Sequence, residues 1–131
     1  MRKACSVALL AAISVLLASG CSQGILDTKW TMKDTAEKNS AAMQRVKPGM
    51  AFNEVVLMMA GEPYLVESYN GKNGEQILVN KYITRPSFDY SKIKEEDLTP
   101  VIFVNNVVEG LGWPHLETAS KKYGFVVKAK K

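Results

Sequence analysis

The sequence predicts an α+β domain, with two helices ahead of a small antiparallel sheet of three to four strands, and three observations carry that class. Between Trp30 and Ala60 apolar residues recur at helical spacing or crowd into one run. After Pro63 the chain turns to β-branched and aromatic stretches separated by Gly- and Asn-containing turns. The 131 residues suffice for one hydrophobic core, and both cysteines, Cys5 and Cys21, stand near the start, so the rest of the fold has to rest on apolar burial.

The chain opens on a leader. Met1, Arg2 and Lys3 precede ACSVALLAAISVLLAS, residues 4–19, which holds no charge, the layout of a secretory signal. A spanning helix needs about 20 predominantly apolar residues; this run stops at Ser19 and Gly20, so cleavage is the expectation. Ala18, Ser19 and Gly20 suit a signal-cleaving protease and lead directly into Cys21. The stretch resembles a bacterial lipobox, although Ala18 stands where that motif most often has Leu. The resemblance implies diacylglycerol on the Cys21 sulfur, cleavage, and acylation of the new amino terminus. Each buried methylene contributes about 0.8 kcal/mol and two chains suffice for stable anchoring. Ser22 after the lipidated residue resembles the outer-membrane sorting class. A plain signal peptide with an incidental Cys21, or an uncleaved anchor, are the competing readings, and both export the rest of the chain.

The expected organisation is therefore a signal peptide over 1–20, a lipidated tether over 21–29, a domain over 30–122 and a basic tail over 123–131. Eight extended residues after Cys21 reach at most about 29 Å, which holds the domain close to the bilayer.

The first helix is expected from Trp30 to Val46, with Ala36, Ser40, Met43 and Val46 on one face and Pro48 with Gly49 ending it. The second follows in GMAFNEVVLMMAGEP. Val55 to Ala60 are all apolar, which predicts burial on nearly all sides, and Gly61 with Pro63 supplies the stop. No capping side chain stands at Ala51. Met50, Met58 and Met59 read as core packing.

Strands are expected over YLVESYN (64–70) and EQILVNKYIT (75–84), joined by the turn GKNG. Residues 85–98 form a polar loop with Phe88 and Tyr90 in it. Two short strands then flank Asn105 and Asn106, a pair that tolerates the positive φ of a tight turn. A last helical fragment runs from Pro114 to about Lys122.

At VKPGMAFNEVVLMMAGEPYLVE the chain resembles the SmpA/OmlA (BamE-like) family of small lipoproteins. The resemblance rests on Gly49, Met50, Val55, Val56, Gly61 and Pro63, and is closest to an exported branch with a Tyr-x-Thr strand end, here Tyr82 and Thr84, then Thr99, Pro100 and Phe103. It departs from that branch at Asn106, where a Gly is common, and at Leu111 and Trp113, where Trp commonly lies between two glycines. The resemblance implies two N-terminal helices packed on the antiparallel sheet, an architecture shared with the β-lactamase inhibitor protein. It also implies binding to other envelope proteins or anionic lipid, since the BamE member is an accessory subunit of the outer-membrane β-barrel assembly machine.

The catalytic repertoire is thin. There is one histidine, His115, and it reads as a surface imidazole in preference to a metal ligand shared with Glu117. No nucleophile elbow, Walker loop or zinc-protease signature is present. Glu95, Glu96 and Asp97 read as a solvated acidic run rather than a general acid or a calcium loop. No enzyme activity, cofactor or metal is expected. Removing Arg2 and Lys3 with the leader lowers the formal net charge from +4 to +2, too mild for nucleic acid.

Aromatics and Arg dominate binding hot spots, so Arg85, Phe88, Tyr90 and Trp113 are the candidate partner-binding residues, with Phe88 and Tyr90 as core lids the alternative. Lys121, Lys122, Lys128, Lys130 and Lys131 are candidates for anionic-lipid contact, with a frayed solvated terminus the alternative. The expected function is a non-enzymatic lipoprotein of the outer membrane, facing the periplasm, that binds an envelope protein. Inhibition of an envelope or secreted hydrolase through the sheet face is the second reading, and a small enzyme the third.

Overall fold

The computed structural model describes residues 26–86 and 90–128. Its helix α1 (Leu26–Met43) begins earlier than Trp30 and takes up part of the segment expected to be tether. Met32, Ala36, Asn39 and Met43 are its buried stripe. Asn39, not Ser40, faces inward. Its Nδ2 donates to Ile83 O at 3.0 Å and its Oδ1 accepts from Ala60 N at 2.8 Å, so a fully buried polar side chain ties α1 to the sheet and to the exit of the next helix.

Helix α2 (Phe52–Met58) is only two turns long. The chain leaves helical geometry at Met59 (φ −80°, ψ 151°), before Gly61. Val55 and Met59 turn into the core, whereas Leu57 is 85% exposed and Val56 is exposed as well. This corrects the expectation of all-round burial: so short a helix offers the sheet one face, and its outer apolar side chains stay in water. Ala51 has no capping side chain; its N–H donates instead to Glu54 Oε2 at 3.4 Å.

The four strands, β1 (Leu65–Asn70), β2 (Gln76–Ile83), β3 (Leu98–Val104) and β4 (Val107–Leu111), form an antiparallel meander in sequence order. Gly71 N donates to Glu75 O at 2.8 Å to close the first hairpin. Asn105 (φ 50°) and Asn106 (φ 66°) turn the last one, as their tolerance of left-handed backbone predicts. Short 3-10 turns at Tyr90–Lys92 and Glu95–Asp97 shape the connection between β2 and β3.

Helix α3 (Trp113–Tyr123) carries Pro114 in its first turn and ends at Gly124, whose φ of 73° lets Gly124 N and Phe125 N both donate to Ser120 O. Residues 125–128 then fold back on the sheet, with the Phe125 ring stacked on Tyr69 at 4.7 Å. The first part of the expected basic tail thus belongs to the domain.

Both faces of the central strands are covered. On one, Tyr82, Val101, Phe103 and Val108 meet Ala42, Met43, Val46, Val55 and Met59, and Phe52 sets its ring edge-on to Phe103 at 5.0 Å. On the other, Ile77, Val79 and Ile102 meet Leu116 and Ala119 of α3 together with Phe125. This two-sided burial is why residues 77–83 read as a near-continuous apolar run rather than an alternation. Among the described residues no helix is long and apolar enough to cross a membrane.

Candidate functional site

Two charges interrupt the strand pattern, Glu67 in YLVESYN and Lys81 in ILVNKYI. The register pairs Leu65 with Lys81 and Glu67 with Val79, which puts both side chains on the α3 side of neighbouring strands. There Lys81 Nζ donates to Glu67 Oε1 at 2.9 Å, and the Tyr69 hydroxyl donates to Glu67 Oε2 at 2.5 Å. Lys81 Nζ also lies 5.1 Å from the Trp113 ring, a cation–π contact in a water-poor setting. The Trp113 indole N–H donates to Leu98 O at 3.0 Å. Lys128 N donates to the Tyr69 oxygen at 3.1 Å, which closes the network under the 125–128 segment.

Burial, reinforced by the bond to Glu67, pushes the Tyr69 hydroxyl up to about 12. Held protonated and donating, this phenol is no base or nucleophile at neutral pH. The carboxylate and the ammonium are likewise directed at one another. The arrangement is a clamp across β1, β2 and the start of α3, and its members escape a reading of the sequence by motif. The signal that finds them is a charged residue at an inward-facing strand position, since such a charge is rarely buried without a partner.

The candidate partner-binding residues fall in different settings. Trp113 is half-buried, its indole engaged by Leu98 and Lys81. Arg85 is exposed, with its backbone N–H and that of Thr84 both donating to Asp97 O. Tyr90 opens a 3-10 turn. Phe88 lies outside the described residues, as does Cys21.

Among the lysines, Lys121 is bonded to Glu117 and Lys122 to Glu109, each at 2.8 Å. The bond from Lys122 holds the Glu109 carboxyl below its ordinary range, and the one from Lys121 does the same to Glu117. Lys128 is exposed, with its ammonium 5.8 Å from the Tyr69 ring. Lys130 and Lys131 lie outside the described residues. His115 is exposed and rests over Gly110, where an added Cβ would come within 2.8 Å of its Nδ1.

The sequence matches a family model over residues 14–118, most of the chain, a span that takes in α1, α2, the meander and the start of α3. The chain belongs to the DUF3192 family. That family is described as a protein of unknown function, and its matched segment takes in Cys21, the clamp and Trp113. No curated protein and no solved structure matches the chain. In this DUF3192 member the match stops within α3, ahead of the 125–128 segment that covers Tyr69.

Proposed function

We propose that the chain is a lipid-anchored, non-enzymatic binding module on the periplasmic side of the outer membrane, an accessory to the assembly or upkeep of other envelope proteins. One contrast carries this reading. Glu67, Lys81 and Tyr69 are bonded to one another inside the fold, whereas large apolar side chains such as Leu57 are left in water. That distribution suits recognition rather than bond-breaking chemistry.

The anchor in this proposal is acylated Cys21. Its support is the lipobox-like sequence and its place inside the segment the family model covers. Five residue steps separate Cys21 from the first residue of α1 and span at most about 18 Å, so the domain would work at the membrane surface. A BamE-like arrangement, with the N-terminal helices on one sheet face, belongs to the same proposal and is supported by the packing of Ala42, Met43 and Val55 against Val101 and Phe103. The candidate partner-binding residues in this proposal are Leu57, Arg85, Phe88, Tyr90 and Trp113. Contact with anionic lipid falls to Lys128, Lys130 and Lys131, because Lys121 and Lys122 already have carboxylate partners.

Palmitate labelling and membrane fractionation of wild type and Cys21→Ser test the anchor: wild type is labelled and sediments with outer membrane, the variant is unlabelled and released. Crosslinking in intact cells tests the surface. A specific protein adduct is expected, weakened at least tenfold by Phe88→Ala with Tyr90→Ala or by Leu57→Asp. An unlabelled wild-type chain, or an adduct indifferent to all three changes, refutes the corresponding half of the reading.

A further inference from the structure

The two edges of the sheet are finished differently. Along β4, Gly49 N donates to Val108 O at 2.9 Å, Val108 N to Met50 O at 2.8 Å and Phe52 N to Asn106 O at 2.9 Å, so the segment between α1 and α2 occupies that rim. Along β1 no such segment is found among the described residues. The Gly71 to Glu75 bond sets the ladder's phase, with residues 65, 67 and 69 bonding to β2. The N–H and C=O groups of Val66, Ser68 and Asn70 therefore point away from the sheet, and no described residue takes them.

Exposed edges are ordinarily blunted by Lys, Pro, a bulge or a covering segment. From Leu65 to Asn70 there is no Lys or Pro. The one charged side chain, Glu67, is drawn into the domain by Lys81. Leu65 and Val66 stand 42% and 51% exposed. A six-residue strand with the outward backbone donors and acceptors of Val66, Ser68 and Asn70 untaken is a template for another strand.

We propose that this edge is a self-association seam: β1 of a second copy pairs with it antiparallel, about a two-fold axis at Ser68, and the two sheets become one. The strand's own ends identify the occupant. An exposed acid, Glu62, precedes β1 and an exposed base, Lys72, follows it, so an antiparallel copy brings opposite charges together at both ends. With Ser68 opposite the second copy's Ser68, Val66 meets Asn70 and every outward group is paired. Lys72, in the turn after β1, then lies at the same end of the seam as the second copy's Glu62. Centring the pair on Glu67 would instead set two carboxylates face to face, which like charge disfavours. The seam is independent of how the chain is anchored.

Cysteine crosslinking in the full chain tests this. Residues opposite each other in a hydrogen-bonded antiparallel pair have Cα atoms about 5.5 Å apart, inside the window for a disulfide. Ser68→Cys is expected to give a disulfide-linked dimer under mild oxidant at a yield at least tenfold above Gln44→Cys, a collision control on an exposed turn. Val66→Cys mixed with Asn70→Cys is expected to crosslink, and Val66→Cys alone is not. Ser68→Lys, with unchanged circular dichroism, is expected to shift the sedimentation equilibrium to monomer. A wild-type dimer under the same oxidant would report a free Cys21 thiol and count against lipidation, not against the seam. The seam itself is overturned if Ser68→Cys yields no more dimer than Gln44→Cys, or if its only adduct is with a different protein.

Discussion

Lys81 Nζ sits 2.9 Å from Glu67 Oε1 with the two side chains only 4% and 8% exposed, and the pair joins the edge strand to its neighbour on the side that α3 covers. Removing one partner strands a charge in a site that water barely reaches. Lys81→Met and Glu67→Gln are each expected to lower unfolding free energy by about 3–5 kcal/mol. The double change Lys81→Met with Glu67→Leu should recover most of that loss, because apolar replacement of a whole buried pair is often neutral or better. Urea unfolding of wild type, Lys81→Met, Glu67→Leu and their double variant gives the coupling directly, and single losses under about 1 kcal/mol would mean that the pair is solvated in solution.

Tyr69 makes stability depend on alkaline pH. Its folded-state pKa, about 12, lies above the ordinary 10.0, chiefly through burial and secondly through its bond to Glu67. A raised pKa of this kind contributes stability that is complete below pH 10 and is lost as pH rises through about 12. Unfolding free energy should fall across that interval, and Tyr69→Phe should flatten the fall without abolishing it, because burial also raises the Tyr82 hydroxyl. Tyrosinate absorbance in the folded protein reads the same event; ionisation of Tyr69 at its ordinary value would contradict the bond to Glu67.

Asn39 bonds both Ile83 O and Ala60 N. Asn39→Ala leaves the buried Ile83 carbonyl and the part-buried Ala60 amide without this partner and should cost about 1–3 kcal/mol. Asn39→Asp keeps an acceptor for Ala60 N, loses the donor to Ile83 O and places a charge at a 1% exposed position. The aspartate variant should therefore gain relative stability as its carboxyl is protonated in acid. Thermal melts at neutral and acidic pH separate the two; equal behaviour of both variants at all pH values would show that the Ile83 bond is immaterial.

The turn at Asn105 and Asn106 offers a stabilising change. Both have positive φ, and the Asn105 side chain also accepts the Gln76 N–H at 3.0 Å. Asn106 has no such bond, so Asn106→Gly relieves backbone strain and should raise stability by up to about 1 kcal/mol. Asn105→Gly gains the same relief but gives up the bond to Gln76, about 1 kcal/mol, so the two effects offset and stability should change little. The denaturant midpoint should rise for Asn106→Gly and stay near wild type for Asn105→Gly.

The strand half of this fold is legible in the sequence because turn chemistry punctuates it. Asn105 with Asn106 and the glycines at 71 and 74 mark the reversals, and the strand limits fall within about two residues of them. Helix α2 is overestimated from sequence because six apolar residues in a row say nothing about how many faces a seven-residue helix can bury. The return of residues 125–128 is hidden by the lysines of the tail around them, which draw attention to charge, while Phe125 holds the information. The clamp escapes for a related reason: Glu67 and Lys81 lie 14 positions apart, and only the register of the first hairpin shows that each is the other's counter-ion.

The rim along β4, sealed by Gly49 and Met50, also bears on growth. A sheet with two bare margins can recruit copies without limit and run on into fibres. Among the described residues the rim held by Gly49 and Met50 is already taken, so the pairing proposed at Ser68 joins two copies and leaves a finite end product. A short connector between two helices thereby serves as a terminator against polymerisation.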